Sequence, residues 1–278
     1  MNAIQPPIVH VECPVPGVRV AYTQRGAIAL NHALDQAVQG FSSAPYDAFN
    51  LGLHVGDVPF AVQANRKAVE QALGITPFWL QQVHGTTVLR TEESRMPGAL
   101  LLDGLGPKAD ASISMLLNHA CVILTADCLP VLMASANGQI VGAAHAGWRG
   151  LAHGVIEALV NAMVQANPSE CADGMWAWLG PCIGFDRFEV GEEVVLALKA
   201  NQATAAHFKP SPSGRWFADL SQIAALQVAQ SLATRSLPQI GLQHSNACTF
   251  SNPSAYYSYR RETKTGRMAA FIWRFAGD

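Results

Sequence analysis

Four nearly continuous apolar runs, at residues 110–115, 121–126, 130–135 and 139–145, dominate the middle of the chain. A strand with one wet face alternates apolar and polar positions, whereas a strand covered on both faces does not. These runs therefore predict strands at the centre of a layered core. Residues 8–12 and 18–23 alternate in a strand-like way and are separated by Pro14, Pro16 and Gly17. The stretch 78–90, FWLQQVHGTTVLR, is rich in aromatic and β-branched residues and reads as strand–turn–strand around His84-Gly85. A short strand is predicted over 176–180, before the turn Pro181-Cys182-Ile183-Gly184. Three more follow at 239–243, 255–260 and 268–274, with Thr265-Gly266 as a turn between the last two.

Helical spacing appears in four places. Over 61–73, Val62, Arg66, Val69 and Leu73 fall near one side, and Gly74 is a natural stop. A helix over 151–166 carries Val155, Ile156, Leu159, Val160, Met163 and Val164, apolar on more than one side, so it should be largely buried. Residues 191–201 form another helix. Asp219, with Gln222 three positions on, resembles a capping box that opens a helix to about Ala233. Residues 27–58 and 100–109 are rich in Gly, Pro and Asx and read as structured loops. Strands and helices mix without a regular βαβ rhythm, and no linker or repeat interrupts them. This pattern predicts a single α+β domain rather than a doubly wound sheet.

Composition narrows the functional classes. Half of the 278 residues are hydrophobic, enough for a large core, and only 14% are charged. A net charge of −2 offers no electrostatic footprint for nucleic acid or an acidic membrane. The opening residues lack the basic and apolar regions of a signal peptide, and no apolar run reaches the roughly 18 residues that span a bilayer. A cytoplasmic protein is expected. The six cysteines are scattered without a CxxC pair, which suits free thiols.

Two metal-capable side chains stand out within 125–150. Cys128 follows one apolar run and His145 ends another. His84, beside a glycine that permits a tight turn, is a plausible third ligand. Three protein ligands with an open fourth position are the pattern of a catalytic zinc. The spacing equally suits a buried thiol with two hydrogen-bonded histidines. Local context favours the metal: His145 leads into Ala146-Gly147-Trp148-Arg149-Gly150, where two glycines flank a Trp-Arg pair at a strand-to-helix junction suited to an anion. Arg66 is a candidate phosphate or carboxylate receptor. Asp127 can orient a ligand or cap a loop, and Asp127 and Glu189 are the nominees for a proton donor. Cys182 is a possible second thiol, and Arg260, Arg261 and Arg267 form a basic cluster near the C-terminus.

Together NLGLHVGD (50–57), NR (65–66), QVHG (82–85), TADCLPVL (125–132), AAHAGWRG (143–150), LGPCIG (179–184), FEVG (188–191) and TGRMAAFIW (265–273) resemble the YfiH/laccase-domain family, also called the polyphenol oxidase or purine nucleoside phosphorylase family. The resemblance covers roughly 18–275 and leaves residues 1–17 as an extension to a catalytic domain over 18–278. It implies an α+β fold with central mixed β-sheets flanked by helices. It implies one zinc per chain on His84, Cys128 and His145, with copper as the alternative metal. The activity implied is phosphorolysis of adenosine, inosine and S-methyl-5′-thioadenosine, with some adenosine deamination. Arg66 matches the family's phosphate-binding arginine, and Asn50, Trp148 and Arg149 join it as expected substrate contacts. Cys128, Arg66 and Asp127 are the expected catalytic residues. The partners are then a purine nucleoside and phosphate, in a monomer or homodimer. Two other readings stay open. One is a copper-dependent polyphenol oxidase, against which stands the lack of any His-x-His pair among nine histidines. The other is a hydrolase with Cys128 as nucleophile and His84 or His145 as base.

Overall fold

A computed structural model describes residues 5–26, 40–92, 104–201 and 203–276. Two mixed sheets form its centre. The first runs β1 (Ile8–Val11), β2 (Val18–Thr23), β14 (Met268–Arg274), β6 (His119–Thr125) and β3 (Thr76–Phe78), all antiparallel except the β6–β3 pair. The second runs β13 (Gln239–His244), β9 (Met175–Leu179), β7 (Leu129–Ser135), β8 (Val141–Ala146), β5 (Ala111–Ser114) and β4 (Val88–Arg90). Its two outer pairs, β13–β9 and β5–β4, are parallel. A small third sheet joins β10 (Glu189–Val190), β12 (Trp216–Ala218) and β11 (Phe208–Pro210), which the hydrophobic pattern did not reveal.

The side-chain alternation explains why the central runs are apolar throughout. On β6, Cys121 and Ile123 face the second sheet, while Ala120, Val122 and Leu124 face outward. On β7, Leu132 and Ala134 meet the first sheet, while Val131 and Met133 meet helices. The inter-sheet layer closes with Val20, Trp176, Trp178 and Ile272. The outer face of the first sheet is covered by α1 (Pro59–Leu73), through Val69, together with Phe49 and Leu51. The far face of the second sheet is covered by α2 (Trp148–His153), α3 (Val155–Ala166), α5 (Glu192–Ala200) and α6 (Leu220–Ala233). A short turn of helix, α4 (Pro168–Cys171), follows α3. Every central strand is thus buried on both faces, and the α+β expectation holds.

Three local expectations are corrected. Residues 78–90 do not form a hairpin: β3 belongs to the first sheet and β4 to the second, and the chain crosses between sheets around His84. Hydrophobic alternation predicts strands but is silent on which sheet receives each. Residues 255–260 are not a strand, because Tyr256 and Tyr257 are buried as anchors while Arg260 N–H bonds a side chain instead of a ladder. The helix expected over 151–166 starts at Trp148 and is divided at Gly154, whose φ of 87° ends α2. The predicted cap of α6 is present, with Asp219 accepting from the Gln222 N–H at 3.0 Å. Within 27–58, residues 27–39 lie outside the described residues, as do 100–103 of the second loop; the described remainder of the first carries one 3-10 turn, Leu53–Val55. In the segment ahead of residue 18, β1 pairs with β2 and Val15 is buried between the sheets.

Candidate metal centre and substrate cavity

Two of the crossings between the sheets deliver a ligand. His84 lies in the β3–β4 crossing and Cys128 in the β6–β7 crossing, while His145 stands near the end of β8. Their donor atoms all lie within 4.8 Å of one another, with Cys128 Sγ 3.9 Å from His84 Nε2. The two imidazoles meet edge to face at 4.8 Å between centroids. His84 adopts φ of 62° and Asp127 φ of 99°, both in the left-handed region that non-glycine residues seldom enter. Such conformations persist where surrounding contacts over-determine them.

At His84, Asp110 is the main source of that constraint. Its carboxylate accepts the N–H groups of Val83 (3.1 Å), His84 (2.8 Å) and Gly85 (2.7 Å). The same group accepts His145 Nδ1 at 2.9 Å. One buried acid therefore shapes the His84 turn and orients the His145 ring. With Nδ1–H committed to Asp110, Nε2 is the nitrogen that faces the cluster and would ligate a metal on losing its proton, as in the carboxylate–histidine arrangement behind many metal ligands. Gln82 pins the crossing from its other side. Its amide donates to the Leu124 carbonyl (2.8 Å) and accepts from the Leu124 N–H (2.7 Å), extending the edge of β6.

Gly147 completes the pocket for an ion. A Cβ there would stand 3.0 Å from Cys128 Sγ and 3.1 Å from His84 Cδ2. The charge balance also suits a cation. Burial pushes the Cys128 thiol up, but the two imidazoles outweigh it and bring the value down to about 6. Burial works to lower His145, and the Cys128 thiolate and Asp110 raise it to about 9. The cluster can thus hold a metal on two nitrogens and a thiolate, and it is the one such group among the described residues.

A cavity of about 490 Å³ opens onto these ligands. Trp148, Phe188 and Tyr259 provide aromatic wall, and Arg149, Arg260 and Arg267 provide cations. Trp148 and Arg149, two of the residues expected to contact substrate, are thus part of the cavity lining. Arg267 Nη1 donates to the carbonyls of Thr265 (3.2 Å) and Gly266 (2.9 Å), while Nε and Nη2 have no hydrogen-bond partner among the described residues. His54 is accessible from the cavity. Enclosure by protein, then the positive fields of Arg267, Arg66 and His145, lower its value to about 4, so it is neutral near pH 7.

Other predicted residues stand behind this wall or have their polar groups already bonded. Arg66 does not line the cavity. It is buried, with Nε on the Leu51 carbonyl (2.9 Å) and Nη1 on the Gly104 carbonyl (3.1 Å), and its guanidinium covers the Trp79 ring at 4.0 Å. Asn50 is fully enclosed, and its Oδ1 accepts the N–H groups of Gly52 (2.9 Å) and Arg267 (2.8 Å). Asp127 lines the cavity, but its carboxylate is occupied: Oδ1 accepts from Thr249 Oγ1 (2.6 Å), and Oδ2 accepts from Ser258 Oγ (3.0 Å) and Arg260 N–H (2.7 Å). Glu189 faces elsewhere, and the hydroxyls of Ser211 and Ser213 hold its carboxyl below the ordinary range. Arg261 is spent on the carbonyls of Thr249, Phe250 and Tyr256. The sequence reading missed Asp110 and His54. His54 sat in plain view within NLGLHVGD, whereas Asp110 offered only an acid at the start of an apolar strand.

The family model described as "Multi-copper polyphenol oxidoreductase laccase" matches residues 31–275. The chain belongs to this YfiH-type family. A purine nucleoside phosphorylase of Pseudomonas aeruginosa is 42% identical over 236 residues, covering 84% of this chain and 89% of the relative. The purine nucleoside phosphorylase YfiH of Escherichia coli is 42% identical over 238 residues, covering 85% and 90%. Among solved structures, a Neisseria meningitidis protein superposes with a TM-score of 0.81 at 36% identity, covering 97% of this chain and all of that one. YlmD of Geobacillus stearothermophilus gives 0.80 at 26% identity, covering 95% and 94%. No helix among the described residues is long and apolar enough to cross a membrane.

Proposed function

We propose that the chain is a zinc-dependent purine nucleoside phosphorylase. Its substrates are adenosine, inosine and S-methyl-5′-thioadenosine, and adenosine deamination is a side activity of the same site. One observation carries this reading: the His84–Cys128–His145 cluster opens on a cavity with both aromatic and arginine-rich walls, in a chain 42% identical to purine nucleoside phosphorylases. Two nitrogens and a thiolate suit zinc, whose catalytic sites leave one position open. An ion held there would supply a Lewis acid for an oxygen of phosphate or water.

The chain's own groups divide the remaining work. Trp148, Phe188 and Tyr259 offer flat apolar surface for a purine. Arg267 presents two unspent nitrogens to an anion, and Arg149 adds a second cation at the cavity. Phosphorolysis needs phosphate held against ribose C1′ while the base departs, which is positioning and electrostatics. Arg66 supports this from behind, since its positive field reaches His54. The neutral His54 ring can donate a hydrogen bond from its N–H to substrate without competing for the anion. Asp127 anchors the Cys128 loop rather than moving a proton, because three donors hold its carboxylate.

The test is chromatography of adenosine incubated with and without phosphate. Adenine and ribose 1-phosphate should form only with phosphate, and inosine in either case. Oxidation of phenols dependent on added copper, with nucleosides untouched, would instead select the polyphenol oxidase reading. Full activity of metal-free protein would select the hydrolase reading, in which Cys128 is free to act as nucleophile.

A further inference from the structure

Cys182 and Cys248 oppose one another in a parallel bridge outside the named strands. The Cys182 N–H donates to the Ala247 carbonyl (3.3 Å), and the Thr249 N–H donates to the Cys182 carbonyl (2.9 Å). Residues in register on neighbouring extended segments have Cα atoms about 4.8 Å apart and project side chains to the same side. That spacing lies within the roughly 4.4–6.8 Å over which a disulfide closes. Both residues line one small surface cavity of about 150 Å³, which shares only Ile183 with the lining of the metal cavity.

The two thiols have different environments. Cys182 is buried, and burial followed by the nearby Asp219 pushes its thiol up. Cys248 is half-buried, and its Sγ accepts the Gly184 N–H at 3.2 Å. Partial burial raises Cys248, but the Ser251 hydroxyl and the backbone of Gly184, Ser251 and Phe250 outweigh this and bring it below the ordinary thiol value. A half-buried thiol of lowered pKa in register with a buried one is the arrangement of an attacking and a resolving cysteine.

We propose that Cys182 and Cys248 form a peroxide-reactive dithiol, in which Cys248 attacks and Cys182 resolves. The Cys248 thiolate attacks one oxygen of hydrogen peroxide or an organic hydroperoxide. The O–O bond breaks, a sulfenic acid forms, and hydroxide or alkoxide leaves. The Cys182 sulfur then attacks the Cys248 sulfur, an S–S bond forms, and the sulfenic oxygen leaves as water with the Cys182 proton. Two thiols are oxidised as one peroxide is reduced.

The pair borders the metal loop without belonging to it. Ile183 N–H donates to the Asp127 carbonyl at 2.9 Å, and Thr249 Oγ1 donates to Asp127 Oδ1 at 2.6 Å. A disulfide would therefore tie together the two segments that grip the residue before Cys128.

Peptide mapping of the metal-loaded chain after limited hydrogen peroxide treatment and alkylation tests this. A cross-link between Cys182 and Cys248, two hydrogens lighter than the dithiol and reversed by dithiothreitol, is expected. In Cys182→Ser, Cys248 should instead accumulate sulfinic acid. In Cys248→Ser, Cys182 should stay reduced at the same dose. Circular dichroism and metal content establish that both variants fold. The proposal is overturned if both thiols stay free while Cys128 oxidises. It also fails if Cys248 reaches sulfinic acid equally fast with and without Cys182.

Discussion

The cluster around Cys128 and the region around Asn50 and Arg66 look alike as sequence, each rich in Gly, Asx and charge within short motifs. The structure gives their polar groups different partners. His84, Cys128 and His145 point donor atoms at one another and into the cavity. Asn50 spends its side chain on backbone groups such as the N–H of Gly52 and of Arg267, and Arg66 spends its own on the carbonyls of Leu51 and Gly104. What separates chemistry from scaffold is unspent hydrogen-bonding capacity at the cavity wall, and motif density does not report it. Arg267 belongs with the first group on this criterion, although its neighbours Arg260 and Arg261 were equally prominent in the sequence.

The largest expected effect comes from the ligand cluster itself. Cys128→Ala should lose bound metal and nucleoside turnover together, read by metal analysis and by the phosphate-dependent assay. Retained turnover without metal would break the contrast at its stronger side. Asp110→Asn comes next. An amide cannot accept from all of Val83, His84, Gly85 and His145 without turning a donor toward a donor. Loss of such an outer partner typically costs about 10–100-fold in metal affinity. Competition with a chelator measures it, and an unchanged affinity would show that Asp110 only shapes the loop.

The contrast also explains what was legible in advance. The core strands could be read because burial on both faces leaves an uninterrupted apolar signature, as on β6 and β7. Cys128 and His145 could be read because each closes such a run, His145 just before Gly147 and Gly150. The sheet crossing at 78–90 could not, since period-two alternation is the same whichever sheet receives the strand. Asp110 was invisible for a related reason: three of its four partners are backbone N–H groups some 25 residues away, and backbone groups carry no letter in the sequence. Residues 255–260 misled because Tyr256 and Tyr257 have strand-like composition, yet the segment bonds the carboxylate of Asp127.

The arginines let the comparison be reversed. Arg267→Lys should raise KM for phosphate about tenfold or more, the worth of one hydrogen bond to a charged group at about 1.5–3 kcal/mol. Arg66→Lys should instead lower Tm, since a lysine cannot reproduce both carbonyl bonds and the contact with Trp79. The opposite split, a phosphate defect in Arg66→Lys and a purely thermal one in Arg267→Lys, would return Arg66 to the phosphate role its motif implies.

The smallest expected effect falls on His54, the residue where the two regions meet. Its ordinary value of 6.5 is lowered to about 4 in the folded chain, by enclosure first and by Arg267, Arg66 and His145 after it. Between these values the unfolded chain binds a proton that the folded chain does not, so stability falls as the pH drops through this window. His54→Gln removes that contribution without removing a polar group. Its Tm should therefore decline less steeply than that of the native chain from pH 6.5 to 4, with the same metal present in both. Parallel curves would mean that the imidazole titrates normally in the fold. The cations of the cavity wall and of the scaffold behind it would then not act on a common point, and the support assigned to Arg66 would lose its basis.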